Sequence, residues 1–159
     1  MKDVKCLRGD ALSAADVYAI WKIRDAVFAF EQHVDDTDVD DLDLLSDTIH
    51  LWLSDDDGPT SYLRILPGDG YLKIGRVCTR KDMRGQGLSG HLMSEASNRF
   101  GDGVLRLNAQ AYLERWYEGF GYVRSGDNFD EAGIDHVPMK RSPMKRSPMK
   151  RSPMERPAT

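Results

Sequence analysis

Long apolar runs are missing from this chain. No stretch approaches the 18 consecutive apolar residues a membrane-spanning helix needs, and the start, MKDVKCLRGD, lacks the apolar run of a signal peptide. A cytoplasmic protein with no membrane partner is therefore expected. Cysteine is scarce: Cys6 and Cys78 form neither a disulfide framework nor a metal-ligand spacing, and each reads as a small buried hydrophobe. No Gly-Lys-Ser/Thr follows the glycine-rich segment at 84–90, which excludes a nucleoside-triphosphate loop. Gly85-x-Gly87-x-x-Gly90 fits the dinucleotide fingerprint, but charged and bulky residues separate it from the preceding strand. Where an acid should meet the ribose, the chain reads Asn108-Ala109-Gln110. A calcium loop is imitated by Asp36-x-Asp38-x-Asp40, yet Asp41 stands where Gly is needed and Asp47 where a Glu should be. No metal is expected.

What is present suits one domain: 159 residues, 40% of them apolar. The organising stretch is 71–100. Tyr71 to Thr79 has strand-like spacing, and Arg84-Gly85-Gln86-Gly87-Leu88-Ser89-Gly90 then opens a segment with Leu88, Leu92, Met93 and Ala96 at helical spacing. Strand, glycine turn and helix in that order leave the first helical N–H groups unpaired at the positive end of the helix dipole, which suits a phosphate. The alternative at this point is a glycine turn with no ligand.

Ahead of that stretch, Val4 to Leu7 alternates as a strand, and Ser13-Ala14-Ala15-Asp16 has the form of a capping box. The helix it starts carries an apolar stripe of Val17, Ile20, Trp21, Val27 and Phe28, with Arg24 on or beside it. Arg24 either pairs with a neighbouring Asp or faces an acceptor. Six aspartates between Asp35 and Asp43 make a solvated turn or an electronegative rim that attracts amines. His50 to Leu53 and Ser61 to Leu66 read as a hairpin, Val104 to Asn108 as a fifth strand, and Leu113 to Phe120 as a helix; Tyr122-Val123 and His136-Val137 supply two more strands.

Arg-Gly-Gln-Gly-Leu-Ser after a strand resembles the Arg/Gln-x-x-Gly-x-Gly/Ala signature of the GNAT superfamily of N-acyltransferases. Leu107-Asn108-Ala109-Gln110-Ala111 and Trp116-Tyr117-Glu118-Gly119-Phe120-Gly121-Tyr122 are similar to that superfamily's downstream strand and helix, in the expected order. Arg24, Val27-Phe28, Glu31-Gln32, the Asp-rich turn, His50 and Gly133-Ile134-Asp135-His136 resemble its ElaA-like branch. The resemblance covers roughly 1–139 and departs at Ser89, where Gly or Ala is usual.

The resemblance implies an α+β fold, a mixed and mostly antiparallel sheet flanked by helices, whose fourth and fifth strands part to hold the pantetheine arm. It implies acetyl-CoA as acyl donor and a small-molecule or lysine amine as acceptor, and it leaves a homodimer open. The cofactor residues by motif position are Val77, Thr79, Arg84, Gly85, Gln86, Gly87, Leu88, Ser89, Gly90 and Asn108. Tyr117 falls where the family's tyrosine lies near the sulfur and is the candidate general acid. Glu31 is the candidate base beside the acceptor, with Arg24, His50 and His136 as acceptor-pocket residues. A non-catalytic acyl-CoA-binding regulator, or a nucleic-acid adaptor acting through the tail, are the alternatives.

From Pro138 the unit Pro-Met-Lys-Arg-Ser occurs three times, followed by Pro-Met-Glu-Arg-Pro. Residues 140–159 hold seven Lys or Arg against one Glu, so the tail carries +6 and, by difference from the whole chain's −4, residues 1–139 carry −10. An acidic body disfavours nucleic acid and favours a cationic acceptor. The division expected is an acyltransferase domain at 1–139 and a disordered tail at 140–159.

Overall fold

The computed structural model describes residues 3–144. Strand β1 (Lys5–Arg8) is followed by helix α1 (Ala14–Arg24), whose start is the anticipated capping box: Ser13 Oγ accepts from the Asp16 N–H, and Asp16 accepts from the Ser13 N–H. The helix does not stop at Arg24. It widens into a π-helical segment, Asp25–Glu31, in which Gln32 N–H donates to Val27 O five residues back, so Glu31 sits on helical backbone and not in a loop.

Strands β2 (Ile49–Asp55), β3 (Gly58–Pro67) and β4 (Tyr71–Thr79) form an antiparallel meander; α2 (Leu88–Phe100) then crosses over to β5 (Val104–Gln110), which lies parallel to β4. A short helix α3 (Glu114–Glu118) leads to β6 (Val123–Arg124), β7 (Phe129–Glu131) and β8 (Ile134–Arg141). The sheet order is β1-β2-β3-β4-β5-β8-β6, with β7 paired to β8. The expected mixed, mostly antiparallel sheet is observed, with β7 as a strand the sequence did not announce. β8 also runs to Arg141, which pairs with Leu105, so the first repeat unit belongs to the sheet and the boundary drawn at 139 falls inside a strand. Residues 145–159 lie outside the described residues, and the expectations for the tail lie there with them.

Strand alternation sorts the core into two layers. Trp52, Tyr62 and Cys78 face α1 and pack on Ile20, Ile23 and Val27, whereas their neighbours Leu51, Leu53, Leu63 and Val77 face α2 and pack with Leu92, Met93 and Ala96. The inward stripe of α1 is thus Ile20, Ile23, Arg24 and Val27; Trp21, expected on it, lies on the solvent side.

Two irregularities shape the middle of the sheet. Tyr62 pairs with Cys78 but Arg64 with Gly75, so β4 holds one extra residue there, and Arg76 takes a left-handed φ of 53°. Beyond Ile74 and Leu107, β4 and β5 cease to pair: β4 continues against β3 to Thr79, and β5 continues against β8 to Gln110. The two central strands part into a slot open toward the N-terminus of α2.

Gly9 holds β1 against the loop ahead of β2. A Cβ there would come within 2.3 Å of Asp43 O and 2.4 Å of Leu45 O, both main-chain atoms. Gly9→Ala is expected to destabilise the protein by about 1–3 kcal/mol, an overpacking cost. Urea unfolding checks this, and an unchanged midpoint would contradict it.

Candidate functional site

The slot opens into a recess of about 710 Å³ bounded by the π-helical segment, β4, the turn before α2, β5, α3 and the β7–β8 hairpin. Val77 and Thr79 line it from β4, and Asn108 from β5 just past the point of separation. At its other end the glycine turn delivers the backbone into α2. Gly85 and Gly87 have φ of 79° and 73°, a region only glycine enters without strain, and an added Cβ at either would meet nothing within 4 Å. Conformation, and not crowding, therefore requires these two glycines in the folded chain. Gly87 is the N-cap of α2 and offers no side-chain cap; the first paired N–H is that of His91, onto Gly87 O. Leu88, Ser89 and Gly90, whose N–H groups precede it in the first turn, are among the residues that line the recess. Gln86 points instead to an adjoining cavity of about 520 Å³ that shares Gly87, Leu88 and Gly90.

Ser89 is tied in by a hydroxyl cluster. Ser61 Oγ donates to Cys78 O at 3.1 Å and lies 3.1 Å from both Thr79 Oγ1 and Ser89 Oγ, and the last two hydrogen-bond each other. The Ser89 hydroxyl thus fastens α2 to β3 and β4. Ser61 escaped the sequence reading because a hydroxyl inside a strand carries no positional signal until the strand's register is known.

Tyr117 lines the recess from α3 and is 6% exposed. Its ring is held edge-on by Trp116, 4.8 Å between centroids. Its hydroxyl has no hydrogen-bond partner among the described residues, and burial pushes the phenol well above its usual range. The group therefore stays protonated at neutral pH. Cys78, by contrast, is buried and its thiol is pushed up to about 12, so it is not a nucleophile.

Glu31 lines the recess and grips Arg84: Nη2 donates to Oε1 at 2.7 Å and Nη1 to Oε2, while Arg84 Nε donates to Thr79 O at 3.1 Å. These bonds hold the Glu31 carboxyl below the usual carboxylate range, so while the pair stands Glu31 is a weaker base than an ordinary carboxylate. His136 also lines the recess. Its Nδ1 donates to Ile134 O at 2.7 Å, and its Nε2 stands 3.5 Å from Glu131 Oε2. Gln32, adjacent to Glu31, is anchored by Gln110 at 3.1 Å.

Arg24 and His50, expected beside the acceptor, are not at the recess surface. Arg24 is fully buried, bonded to Asp43 Oδ1 (2.7 Å), Asp38 Oδ2 (2.8 Å) and Asp38 O (2.8 Å). His50 is also fully buried, its Nε2 donating to Asp43 O at 2.8 Å and its Nδ1 accepting from Tyr62 at 2.7 Å. Arg64 and Arg76 bind Asp40, Asp43 and Asp38 in the same network. The aspartate run is thus divided: three arginines pin Asp38, Asp40 and Asp43 as a wall, while Asp35, Asp36 and Asp41 stay exposed, and the stretch Asp36 to Asp38 borders the recess. The reason lies in the stripe of α1, since a guanidinium directed into the core must carry carboxylates in with it.

No group of three or more metal-ligating side chains occurs among the described residues, and no described helix is long and apolar enough to cross a membrane.

A sequence model of the acetyltransferase (GNAT) domain matches residues 15–143. A UPF0039 protein of Mycobacterium tuberculosis is 43% identical over 135 residues, 82% of this chain and 86% of that protein. The crystal structure of Escherichia coli ElaA superposes with a TM-score of 0.82 at 32% identity, covering 89% of this chain and all of that one (100%). An acyl-CoA N-acyltransferase from Pseudomonas aeruginosa superposes with a TM-score of 0.81 at 33% identity, covering 88% of this chain and 99% of that one.

The buried network makes the fold acid-sensitive. Burial lowers the His50 pKa from its usual 6.5. Burial alone would raise the Asp40 carboxyl, but the bonds from Arg64 prevail and hold it at about 2, and Asp43 is lowered in the same way by Arg24 and Arg64. Each group binds its proton more weakly folded than unfolded, so stability is complete above the unfolded pKa and is lost as pH falls. Urea unfolding free energies should begin to decline below about pH 6.5 through His50 and decline further below about pH 4 through the aspartates. A flat profile from pH 7 to 5 would contradict the burial of a neutral His50.

Proposed function

The chain belongs to the acetyltransferase (GNAT) family, and we propose that it moves an acetyl group from acetyl-coenzyme A to a primary amine by direct attack, with no acyl-enzyme stage. The observation that carries this reading is the parting of β4 from β5 beside the uncapped N-terminus of α2. A pantetheine arm needs extended backbone with unspent N–H and C=O groups, and a diphosphate needs convergent N–H donors. One recess supplies both, so the residues present fit the donor. Val77, Thr79 and Asn108 would hold the arm, and Gly85 to Gly90 with Arg84 the phosphates. The donor supplies an activated acyl group and a thiolate leaving group.

The chain's own residues answer three demands. Main-chain donors of Val77 to Thr79, past the bulge at Arg76, meet the negative charge that develops on the thioester oxygen. The Tyr117 hydroxyl, kept protonated by burial and without a protein partner, gives its proton to the departing sulfur. His136 Nε2 takes the ammonium proton that must leave before attack, with Glu131 supporting the imidazolium so formed, and the second amine proton, shed as the C–N bond forms, restores the Tyr117 hydroxyl. The acceptor is bounded by the pinned aspartate wall and the β7–β8 hairpin, where Asp36 and Glu131 suit an amine that arrives as a cation.

Free-thiol release, followed with acetyl-coenzyme A and a panel of primary amines, tests the reading. Tyr117→Phe is expected to lower kcat by about 10²-fold or more while leaving coenzyme A affinity unchanged; a regulator that binds acyl-CoA without turnover would show no thiol release from the unmodified protein. His136→Gln is expected to lower kcat/KM for the amine by about 10²-fold, again without weakening coenzyme A. Full activity of that variant would leave solvent as the proton acceptor.

A further inference from the structure

Glu31 and Arg84 stand 53 positions apart and reach each other across the mouth of the recess, one from the end of the π-helical segment and the other from the start of the phosphate turn. The two Nη nitrogens of Arg84 both donate to the Glu31 carboxylate, and Nε is spent on Thr79 O. The edge of the guanidinium best shaped for two phosphate oxygens is thus already filled by two carboxylate oxygens of matching geometry. The pair differs from the buried network behind it. Side-chain exposures are 40% for Arg84 and 32% for Glu31, against 0% and 5% for Arg24 and Asp43, so solvent screens it and it opens at little cost.

We infer that Glu31 stands in for the cofactor's diphosphate at Arg84 and competes with it, setting the affinity for coenzyme A and hastening its departure after transfer. The inference rests on the acyl-coenzyme-A reading of the recess. On arrival the diphosphate displaces the carboxylate from Arg84. As the product loosens, the carboxylate returns to the guanidinium and opposes rebinding. Glu31 is then a positioning residue that acts through Arg84, and its role is exerted on the phosphates and not on the acyl group.

Isothermal titration and stopped-flow dissociation on the full chain test this, with coenzyme A and with pantetheine, which lacks the diphosphate. Glu31→Gln should bind coenzyme A about two- to five-fold tighter, the range to which an exposed ion pair of up to about 1 kcal/mol converts, with the gain appearing as slower dissociation. Pantetheine binding should not change, and in an Arg84→Ala background Glu31→Gln should have no further effect on coenzyme A. Equal or weaker coenzyme A binding by Glu31→Gln would overturn the inference, since Glu31 would then be steadying Arg84 for the phosphates. Absence of coenzyme A binding by the unmodified protein would overturn the acyl-coenzyme-A reading and this inference together; binding by the unmodified protein with no gain in the variant would overturn the inference alone.

Discussion

The structure depends on one lapse in pairing. A sheet gains most when each strand bonds both neighbours, yet here the two central strands separate after Ile74 and Leu107 and each keeps only its outer partner. Unpaired main-chain groups in a protein interior are costly unless something else bonds them. The extra residue in β4 and the left-handed Arg76 force the divergence, and the helix that follows closes the far end of the gap without capping its own first turn. The result is a row of unspent backbone donors and acceptors, continued by a ring of N–H groups, in one continuous recess.

Around that gap the chain is held rigidly, by two different kinds of contact. On the α1 side, Arg24 and Arg64 draw three aspartates against the face of the sheet that α1 covers and tie part of a highly charged loop into a wall. On the α2 side, the Ser61, Thr79 and Ser89 hydroxyls join strand to helix where the glycine turn enters α2. Most of these groups are spent on one another, although Asp43 Oδ2 and Arg64 Nε, both buried, have no hydrogen-bond partner among the described residues. The groups left available, Tyr117, His136 and the exposed Glu31–Arg84 pair, stand on the walls that these contacts fix. Preorganisation of this kind suits the direct acyl transfer proposed above, in which positioning and oriented dipoles would supply most of the rate.

How much of this could be read beforehand follows from what each feature depends on. The strand, glycine turn and helix at 71–100 were legible because each is a local pattern: spacing, Gly at positions of positive φ, apolar recurrence. The capping box at Ser13 was legible for the same reason. The fate of Arg24 was not, because a cation on an apolar stripe is compatible with two partners, and only the register of β3 shows that Arg64 and the aspartates meet it. His50 was misplaced for a similar reason: its strand position was right, but the face it presents depends on the sheet's pairing. The π-helical widening that aims Glu31 at Arg84 has no sequence signature, and the pairing of residues so distant in the chain could not be anticipated. β7 is three residues long and exists only because β8 returns beside it.

The central claim is that main-chain groups on both sides of the parted strands, together with the first turn of α2, receive an acyl-coenzyme-A. Amide chemical-shift mapping of the 15N-labelled protein during titration with coenzyme A measures this directly. The account predicts the largest shifts at Val77 to Thr79, Gly85 to Gly90 and Asn108, with Ile20, Ile23 and Leu51 in the core undisturbed. Saturable binding whose shifts fall elsewhere, or no shift at the N-terminus of α2, would contradict it.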